Sequence, residues 1–215
     1  MSFTLHYHPL SSYCMKVLIA LYETETPFTP RLVDLSDPEQ RAALCKLWPI
    51  GKFPVLRDDA ADLTLAESTT IIEYLAQHHP GTTALIPSDP DRAREVRMFD
   101  RLFDLYVHNQ MQKITGDKLR PADQRDPFGV AQAAAQIETA YTMVDDQVRA
   151  STWVMGESFT LADCAAAPAL FYADKCVPLT ARHAATRAYL GRLVARPSFA
   201  RALAEAQPYF SLFPS

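Results

Sequence analysis

The sequence predicts a small α/β domain with the element order βαβ-ββα, followed by a domain built only of helices. Three observations lead to this prediction. Strand and helix patterns alternate over the first part of the chain, a Pro80-Gly81 pair then interrupts them, and no convincing strand pattern follows. We therefore place the α/β domain at residues 1–79, a linker at 80–90 and the helical domain at 91–215.

The first part of the chain reads as a βαβ unit. Residues 3–7 alternate apolar and polar side chains, which is typical of a strand. Residues 15–22 are almost wholly apolar and mostly unbranched, which favours a buried helix. A second strand pattern follows at 29–35. A strand, helix and strand in this order imply a right-handed crossover between parallel strands.

The ββα part comes next. Residues 53–56 and 63–65 flank the turn-rich segment 58–62, so they predict an antiparallel hairpin. Residues 69–77 then predict a helix whose apolar side carries Ile71, Ile72 and Leu75.

Helix signals dominate the rest of the chain. Asp89 and Pro90 form a typical helix start. Thr160 and Asp163 have the spacing of a capping box, and Pro197 separates the last two helices. Apolar residues step by three and four along two further segments: Val96, Phe99, Phe103 and Tyr106, then Val130, Ala134, Ile137, Tyr141, Val144 and Val148.

Composition excludes several classes of partner. The 215 residues carry a net charge of −4, with no basic stripe, so we expect no nucleic-acid partner. No apolar run approaches the length of a membrane span, and no cation precedes Lys16, so we expect neither a membrane protein nor a secretory signal. Cysteines at 14, 45, 164 and 176 form no CxxC pair and no metal cluster. We expect reduced thiols, no metal and a cytoplasmic location.

The segment Ser11-Ser12-Tyr13-Cys14 is the first candidate for chemistry, because it joins the first strand to the first helix. A helix N-terminus offers unpaired N–H groups and partial positive charge, which lower the pKa of a thiol placed there. A serine hydroxyl could donate a hydrogen bond to the resulting thiolate. Ordinary helix capping is the alternative for the serines, and core packing is the alternative for Cys14.

Two further segments are candidates for ligand binding. Residues 51–56 place Phe53-Pro54 at the start of a strand, where a cis peptide would let the backbone pair with a peptide ligand. Glu67-Ser68 precedes the next helix, where it could receive an amino-acid head group. Helix capping is the alternative for Glu67 and Ser68 as well.

The three segments together resemble the glutathione S-transferase family, in particular serine-type members of theta or zeta style found in bacteria. Ser11-x-x-Cys14, Gly51-Lys52-Phe53-Pro54-Val55-Leu56 and Glu67-Ser68 occur in the family's order and spacing. The segments 159–163 and 196–199 are similar to its helix-capping motif and its late RPSF turn. The resemblance implies a thioredoxin-like first domain and an all-helical second domain.

The resemblance also implies roles for single residues. Ser11 matches the hydroxyl that hydrogen-bonds the glutathione sulfur, although Ser12 and Tyr13 are competing hydroxyls. The implied glutathione-binding residues are Lys52 near the glycine carboxylate, Phe53 and cis-Pro54 at the cysteinyl part, and Glu67 and Ser68 at the γ-glutamyl part. Trp48 stands where many members have asparagine, which is a departure from the pattern.

The implied activity is transfer of small hydrophobic electrophiles to glutathione by a homodimer, a role associated with detoxification. The alternatives are a glutathione-dependent isomerase, dehalogenase or thiol reductase, in which Cys14 would matter most for the reductase, and a non-catalytic binding protein. We expect the electrophile pocket to lie between the domains, lined by Leu10, Phe103, Tyr106, Met111 and Tyr172.

Overall fold

The computed structural model describes residues 3–214. Four strands and three helices form the first domain: β1 (Phe3–Tyr7), α1 (Ser12–Glu23), β2 (Thr29–Leu32), α2 (Pro38–Leu47), β3 (Val55–Asp58), β4 (Leu63–Ala66) and α3 (Ser68–His78). Helices alone follow: α4 (Pro90–Leu102), a π-helical segment (Phe103–His108), α5 (Asn109–Lys118), α6 (Pro127–Val148), α7 (Leu161–Cys176), α8 (Ala184–Ala195) and α9 (Pro197–Ala206), with short 3-10 turns at 122–124, 181–183 and 207–212. The predicted fold class is therefore confirmed.

The four strands form one mixed sheet in the order β2-β1-β3-β4. β1 pairs parallel with β2, and β3 pairs antiparallel with both β1 and β4, so the predicted βαβ unit and hairpin are both present. The core side of the sheet is almost closed to solvent, since Leu5 and Leu56 have no exposed surface. β2 is shorter than predicted and ends at Leu32, because it is an exposed edge strand with little to pack against.

Helix α2 is an element that the sequence patterns did not predict. Only Leu44 is buried within it, so it lacks the apolar stripe by which amphipathic helices are recognised. A local signal was nevertheless present: the Asp37 carboxylate accepts hydrogen bonds from the backbone N–H of Glu39 and Gln40, and Pro38 occupies the first helical turn. The helix leads directly into the loop that carries Phe53 and Pro54.

A π-helical segment changes which side chains are buried along the continuous helical run 90–118. Val96 and Phe103 are buried as the apolar spacing predicts, but Tyr106 is 48% exposed and Val107 is buried in its place. A π-helical turn contains extra backbone relative to an α-helix, so it rotates every following side chain around the axis. The shift presents Asp104 and His108 to the first domain.

The predicted long helix and the capping box are confirmed. α6 buries Ile137, Tyr141, Val144 and Val148 on one face. At the start of α7, the buried Asp163 carboxylate accepts hydrogen bonds from the N–H and hydroxyl of Thr160.

The two domains share one hydrophobic core and a salt bridge. α7 packs against both α1 and α4, so apolar side chains run continuously from one domain to the other. At the domain junction, Nε and Nη2 of Arg196 each lie 2.6 Å from a different oxygen of Glu23. Within residues 3–214, no helix is both long and apolar enough to cross a membrane.

Candidate functional site

A cavity of about 250 Å³ lies between the two domains and collects most of the predicted site residues. Lys52, Phe53, Pro54, Glu67 and Ser68 all line it, although they come from two separate segments. The remaining lining residues are Tyr13, Trp48, Arg101, Asp104, Leu105, Asn109 and Gln112. Ser11 does not line this cavity and lies two residues before Tyr13, at the N-terminus of α1.

The Phe53-Pro54 peptide is cis, as the resemblance to the family implied. Pro54 is buried and Phe53 is half-buried at the cavity wall. The loop before them turns at Gly51, whose φ of +66° is a conformation that other residues rarely adopt. Trp48 ends α2 and lines the cavity, so the departure from the family pattern places an aromatic ring at the site.

Glu67 adopts a left-handed backbone conformation, with φ of +68°. Such a conformation costs a non-glycine residue about 1–3 kcal/mol, so the surrounding structure must hold it in place. Glu67 precedes α3 and makes no side-chain cap, so N–H groups of the first turn remain free for a ligand. Ser68 is only 5% exposed, yet it lines the cavity.

The three hydroxyls at the start of α1 have different partners. Ser12 Oγ lies 3.1 Å from His108 Nε2, and the Tyr13 hydroxyl donates to Asn109 Oδ1 at 2.8 Å. Ser11 Oγ accepts a hydrogen bond from the N–H of Cys14 at 3.4 Å. Ser11 therefore caps the helix with its oxygen, and its side chain also hydrogen-bonds with the thiol of Cys14.

Cys14 is completely buried beneath the Ser11 segment. Burial raises the pKa of the Cys14 thiol to about 12, although hydrogen bonding to Ser11 and to the backbone of His8 acts in the opposite direction. The thiol is therefore protonated and inaccessible in this conformation, as the core-packing alternative predicted.

The helical domain contributes a charged cluster that the sequence patterns did not identify. Lys16 Nζ, 1% exposed, lies 2.5 Å from Asp100 Oδ1 and 2.8 Å from Asp104 Oδ2. Arg101 Nη2 lies 2.7 Å from Asp100 Oδ2 and 2.6 Å from Asp104 Oδ2, and it also contacts Thr69 Oγ1. The signal that could have revealed it is Asp100 and Asp104, four residues apart on a helix face that is otherwise apolar.

His108 connects this region to the Ser11 segment. It is 2% exposed, and its ring centroid lies 4.1 Å from that of Tyr13. Burial, and to a smaller extent the positive charge of Lys16, lower the pKa of His108 to about 3. The imidazole is therefore neutral at physiological pH.

The residues that we expected to line an electrophile pocket do not line the interdomain cavity. Phe103, Met111 and Tyr172 are buried in the core, and the Tyr172 hydroxyl donates to the carbonyl of Leu10 at 2.9 Å. Tyr106 borders a different, outward-facing groove between α4 and α6, because of the π-helical shift. The apolar side chains that line the cavity are those of Trp48, Phe53, Pro54 and Leu105.

Comparison with known proteins identifies the family. The family model of the glutathione S-transferase N-terminal domain matches residues 5–83, and the model of the C-terminal domain matches residues 127–192. A glutathione S-transferase-like protein, LUC7 from Fusarium sp, is 32% identical over 164 residues, which cover 74% of this chain and 71% of that protein. The chain belongs to the glutathione S-transferase family. Glutathione S-transferase PARB from Nicotiana tabacum is 26% identical over 96% of this chain and all of its own length.

Solved glutathione S-transferases share the whole architecture. The enzyme from Methylobacillus flagellatus, solved with glutathione bound, superimposes with a TM-score of 0.85 at 26% identity and covers 93% of this chain and 98% of its own. The one from Methylobacterium radiotolerans, in complex with glutathione sulfonate, gives a TM-score of 0.83 at 29% identity and covers 94% of each chain.

Among residues 3–214, no group of three or more histidine, cysteine, aspartate or glutamate side chains is arranged to hold a metal ion. The four cysteines are all free thiols. The polar groups that line the cavity are hydroxyls and amides, the carboxylates of Glu67 and Asp104, and the cations of Lys52 and Arg101. Such groups suit a small peptide that carries both signs of charge.

Proposed function

We propose that the protein is a glutathione transferase in which the Ser11 hydroxyl stabilises the glutathione thiolate. The observation that supports this most strongly is the division of roles at the start of α1. The helical domain engages Ser12 and Tyr13 through His108 and Asn109, whereas Ser11 bonds only within its own turn, to Cys14, among the described residues. Ser11 lies at the positive end of the helix, where a thiolate would be a stronger acceptor for its hydroxyl than the neutral Cys14 thiol.

The proposed reaction needs little from the protein beyond thiolate formation and orientation. The glutathione thiol loses its proton to solvent, and its sulfur attacks the electrophilic carbon to form a thioether, while the leaving group departs with the bonding electrons. The stabilised thiolate supplies a higher nucleophile concentration, and the cavity supplies proximity. We propose that a small hydrophobic electrophile packs against Trp48 and Leu105.

The proposed glutathione site combines the two segments of the cavity wall, residues 52–54 and residues 67–68. The backbone of Phe53, beside cis-Pro54, pairs with the cysteinyl part, and Lys52 attracts the glycine carboxylate. The γ-glutamyl end lies at the free N–H groups of α3, beside Ser68 and Glu67. The strained backbone of Glu67 and the bound glutathione in related structures support this arrangement.

Cys14 is the residue on which a thiol-reductase function would depend. Its complete burial and raised pKa argue against that function, because a reductase cysteine must be accessible as a thiolate. Mass analysis after incubation with glutathione and an electrophile panel separates the alternatives. A transferase yields a stable thioether, an isomerase regenerates glutathione, a reductase produces glutathione disulfide, and a binding protein leaves both reactants unchanged.

Replacing both Glu67 and Ser68 with alanine is expected to weaken glutathione binding at least about tenfold. Each lost hydrogen bond to a charged group is worth about 1.5–3 kcal/mol. Calorimetric titration measures the change, and Thr70→Ala is the control because Thr70 lies exposed in the same helical turn but does not line the cavity. An unchanged dissociation constant in the double variant would place the glutathione site elsewhere.

We further propose a homodimer that buries the outward-facing groove of about 660 Å³ between α4 and α6. Its exposed apolar side chains are Met98 at 59%, Met143 at 54%, Tyr106 at 48% and Leu105 at 39%. A contiguous apolar surface of this kind is typical of an interface, and C2 dimers are the commonest closed oligomers.

Sedimentation is expected to show a species of twice the 24.0 kDa chain mass at micromolar concentration. Met98→Glu should shift it to monomer, because the new charge would have to be buried. Leu119→Glu is the matched control, since Leu119 is 74% exposed and does not line this groove. A wild-type species of 24.0 kDa throughout would contradict the dimer.

We also propose a cytoplasmic location, which the free thiols support.

A further inference from the structure

We propose that Arg101, from the helical domain, binds the α-carboxylate of the γ-glutamyl residue and so completes the glutathione site from the opposite wall. This inference rests on the proposed function and adds a binding residue to it. Arg101 is 46% exposed at its side chain and lines the interdomain cavity together with Glu67 and Ser68. No sequence motif marks it.

The guanidinium of Arg101 is held on one side only. Nε and Nη2 donate to Asp100 Oδ2 at 3.1 and 2.7 Å, and Nη2 also donates to Asp104 Oδ2 at 2.6 Å. Nη1 makes no hydrogen bond or ion pair to any described residue. A planar guanidinium whose other edge is fixed can present its free N–H groups to a carboxylate with little loss of conformational freedom.

The contact between Arg101 Nη2 and Thr69 Oγ1 determines which end of glutathione the guanidinium faces. Thr69 follows Ser68 in the first turn of α3, whose N–H groups are not capped by a side chain. These N–H groups, the Ser68 hydroxyl and Arg101 all favour an anion at the same place. Lys52 lies on the other segment of the wall, which suits the glycine carboxylate.

The buried charges that contact Arg101 balance one another closely enough for Arg101 to attract an anionic ligand. Asp100 and Asp104 alone would more than neutralise one guanidinium and would repel an incoming carboxylate. Lys16 contacts both of them from α1, so two cations balance two carboxylates. Glu67, which has no ion-pair partner among residues 3–214, can then attract the ligand's ammonium group. The layout matches a zwitterionic amino-acid head.

The test compares three ligands by calorimetry: glutathione, 4-aminobutyryl-cysteinyl-glycine, which lacks the γ-glutamyl α-carboxylate, and glutathione esterified at its glycine carboxylate. Arg101→Gln is expected to weaken binding of glutathione and of the ester by at least about tenfold, because both keep the α-carboxylate. Binding of the aminobutyryl peptide should change less than threefold, since it has no carboxylate at that position.

Arg101→Lys keeps the charge balance of the buried cluster and guards against misfolding of the glutamine variant. It should still weaken glutathione binding several-fold, because an ammonium cannot bridge the aspartates and the ligand in the same geometry. Arg94→Gln is the control, since Arg94 is an exposed residue of α4 whose only ion-pair partner among residues 3–214 is Asp91. It should bind all three ligands as wild type does.

The outcomes separate this proposal from the proposed function. If wild type binds glutathione and Arg101→Gln weakens all three ligands equally, or none of them, Arg101 does not bind the α-carboxylate. If Arg101→Gln weakens binding of glutathione and of the aminobutyryl peptide but not of the glycine ester, Arg101 binds the glycine carboxylate instead, and the proposal is overturned. If wild type binds none of the ligands, the glutathione site itself is wrong.

Discussion

Replacing Ser11 with alanine is expected to reduce conjugation at neutral pH by about ten- to hundredfold. The hydroxyl is proposed to donate to a charged sulfur, and such a bond is worth about 1.5–3 kcal/mol. Its loss should raise the pKa of bound glutathione by about one to two units, at 1.36 kcal/mol per unit. Turnover measured from pH 6 to pH 10 should therefore recover much of the lost rate as the pH rises toward the new pKa.

The recovery at high pH distinguishes lost thiolate stabilisation from lost folding. Ser11 also caps α1, so its removal is expected to cost about 1 kcal/mol of stability, which a thermal unfolding curve detects. An unfolded fraction would not regain activity at high pH. Cys14→Ala, which removes a buried thiol one turn later, should leave conjugation nearly intact and reduce stability only through lost packing. A uniformly low rate across the pH range in Ser11→Ala would contradict the proposed role.

Replacing Asp163 with alanine is expected to be the most destabilising substitution, at about 3 kcal/mol or more. Its buried carboxylate accepts four hydrogen bonds: from the N–H and hydroxyl of Thr160 at 2.8 and 3.0 Å, from the N–H of Val154 at 3.0 Å, and from the Tyr189 hydroxyl at 2.6 Å. Each donor left unsatisfied in the core costs about 1–3 kcal/mol. The unfolding midpoint should fall by about 6–12 °C for a chain of this size.

Asp89→Ala is the matched control for Asp163. Asp89 caps α4 through a hydrogen bond from the N–H of Arg92 at 2.8 Å, but it is exposed. Its loss should cost only about 1 kcal/mol, because water replaces the missing acceptor. Asp163→Asn, which retains one carbonyl oxygen, should fall between the two if the alanine variant does not fold. Equal midpoints for Asp163→Ala and Asp89→Ala would show that burial of this network adds no stability.

Local signals predicted the first domain well, apart from α2. Alternation in β1 reflects burial on one face of the sheet, and Pro54 directly precedes β3, so both strands carry local sequence signals. Helix α2 buries a single leucine, so its hydrophobic pattern is absent and only the Asp37-Pro38 cap marks its start. The five proposed binding residues were predicted from two short segments, and the fold brings both segments to one cavity.

The part of the site contributed by the helical domain could not be predicted in the same way. The π-helical segment rotates the helix so that Asp104, rather than an apolar residue, faces the first domain. Sequence patterns assume a constant period of 3.6 residues and cannot register such a shift. The pairing of Lys16 with Asp100 and Asp104 joins residues more than eighty positions apart, which no local pattern specifies.

The most direct test of the central claim is an ultraviolet titration of the thiolate in the complex with glutathione, run on wild type, Ser11→Ala and Cys14→Ala. We expect the complexes of wild type and Cys14→Ala to form thiolate at the same pH, well below the pKa of a free thiol. Ser11→Ala should titrate about one to two units higher. A wild-type titration curve in Ser11→Ala, together with loss of activity in Cys14→Ala, would contradict the serine mechanism and assign the chemistry to the cysteine.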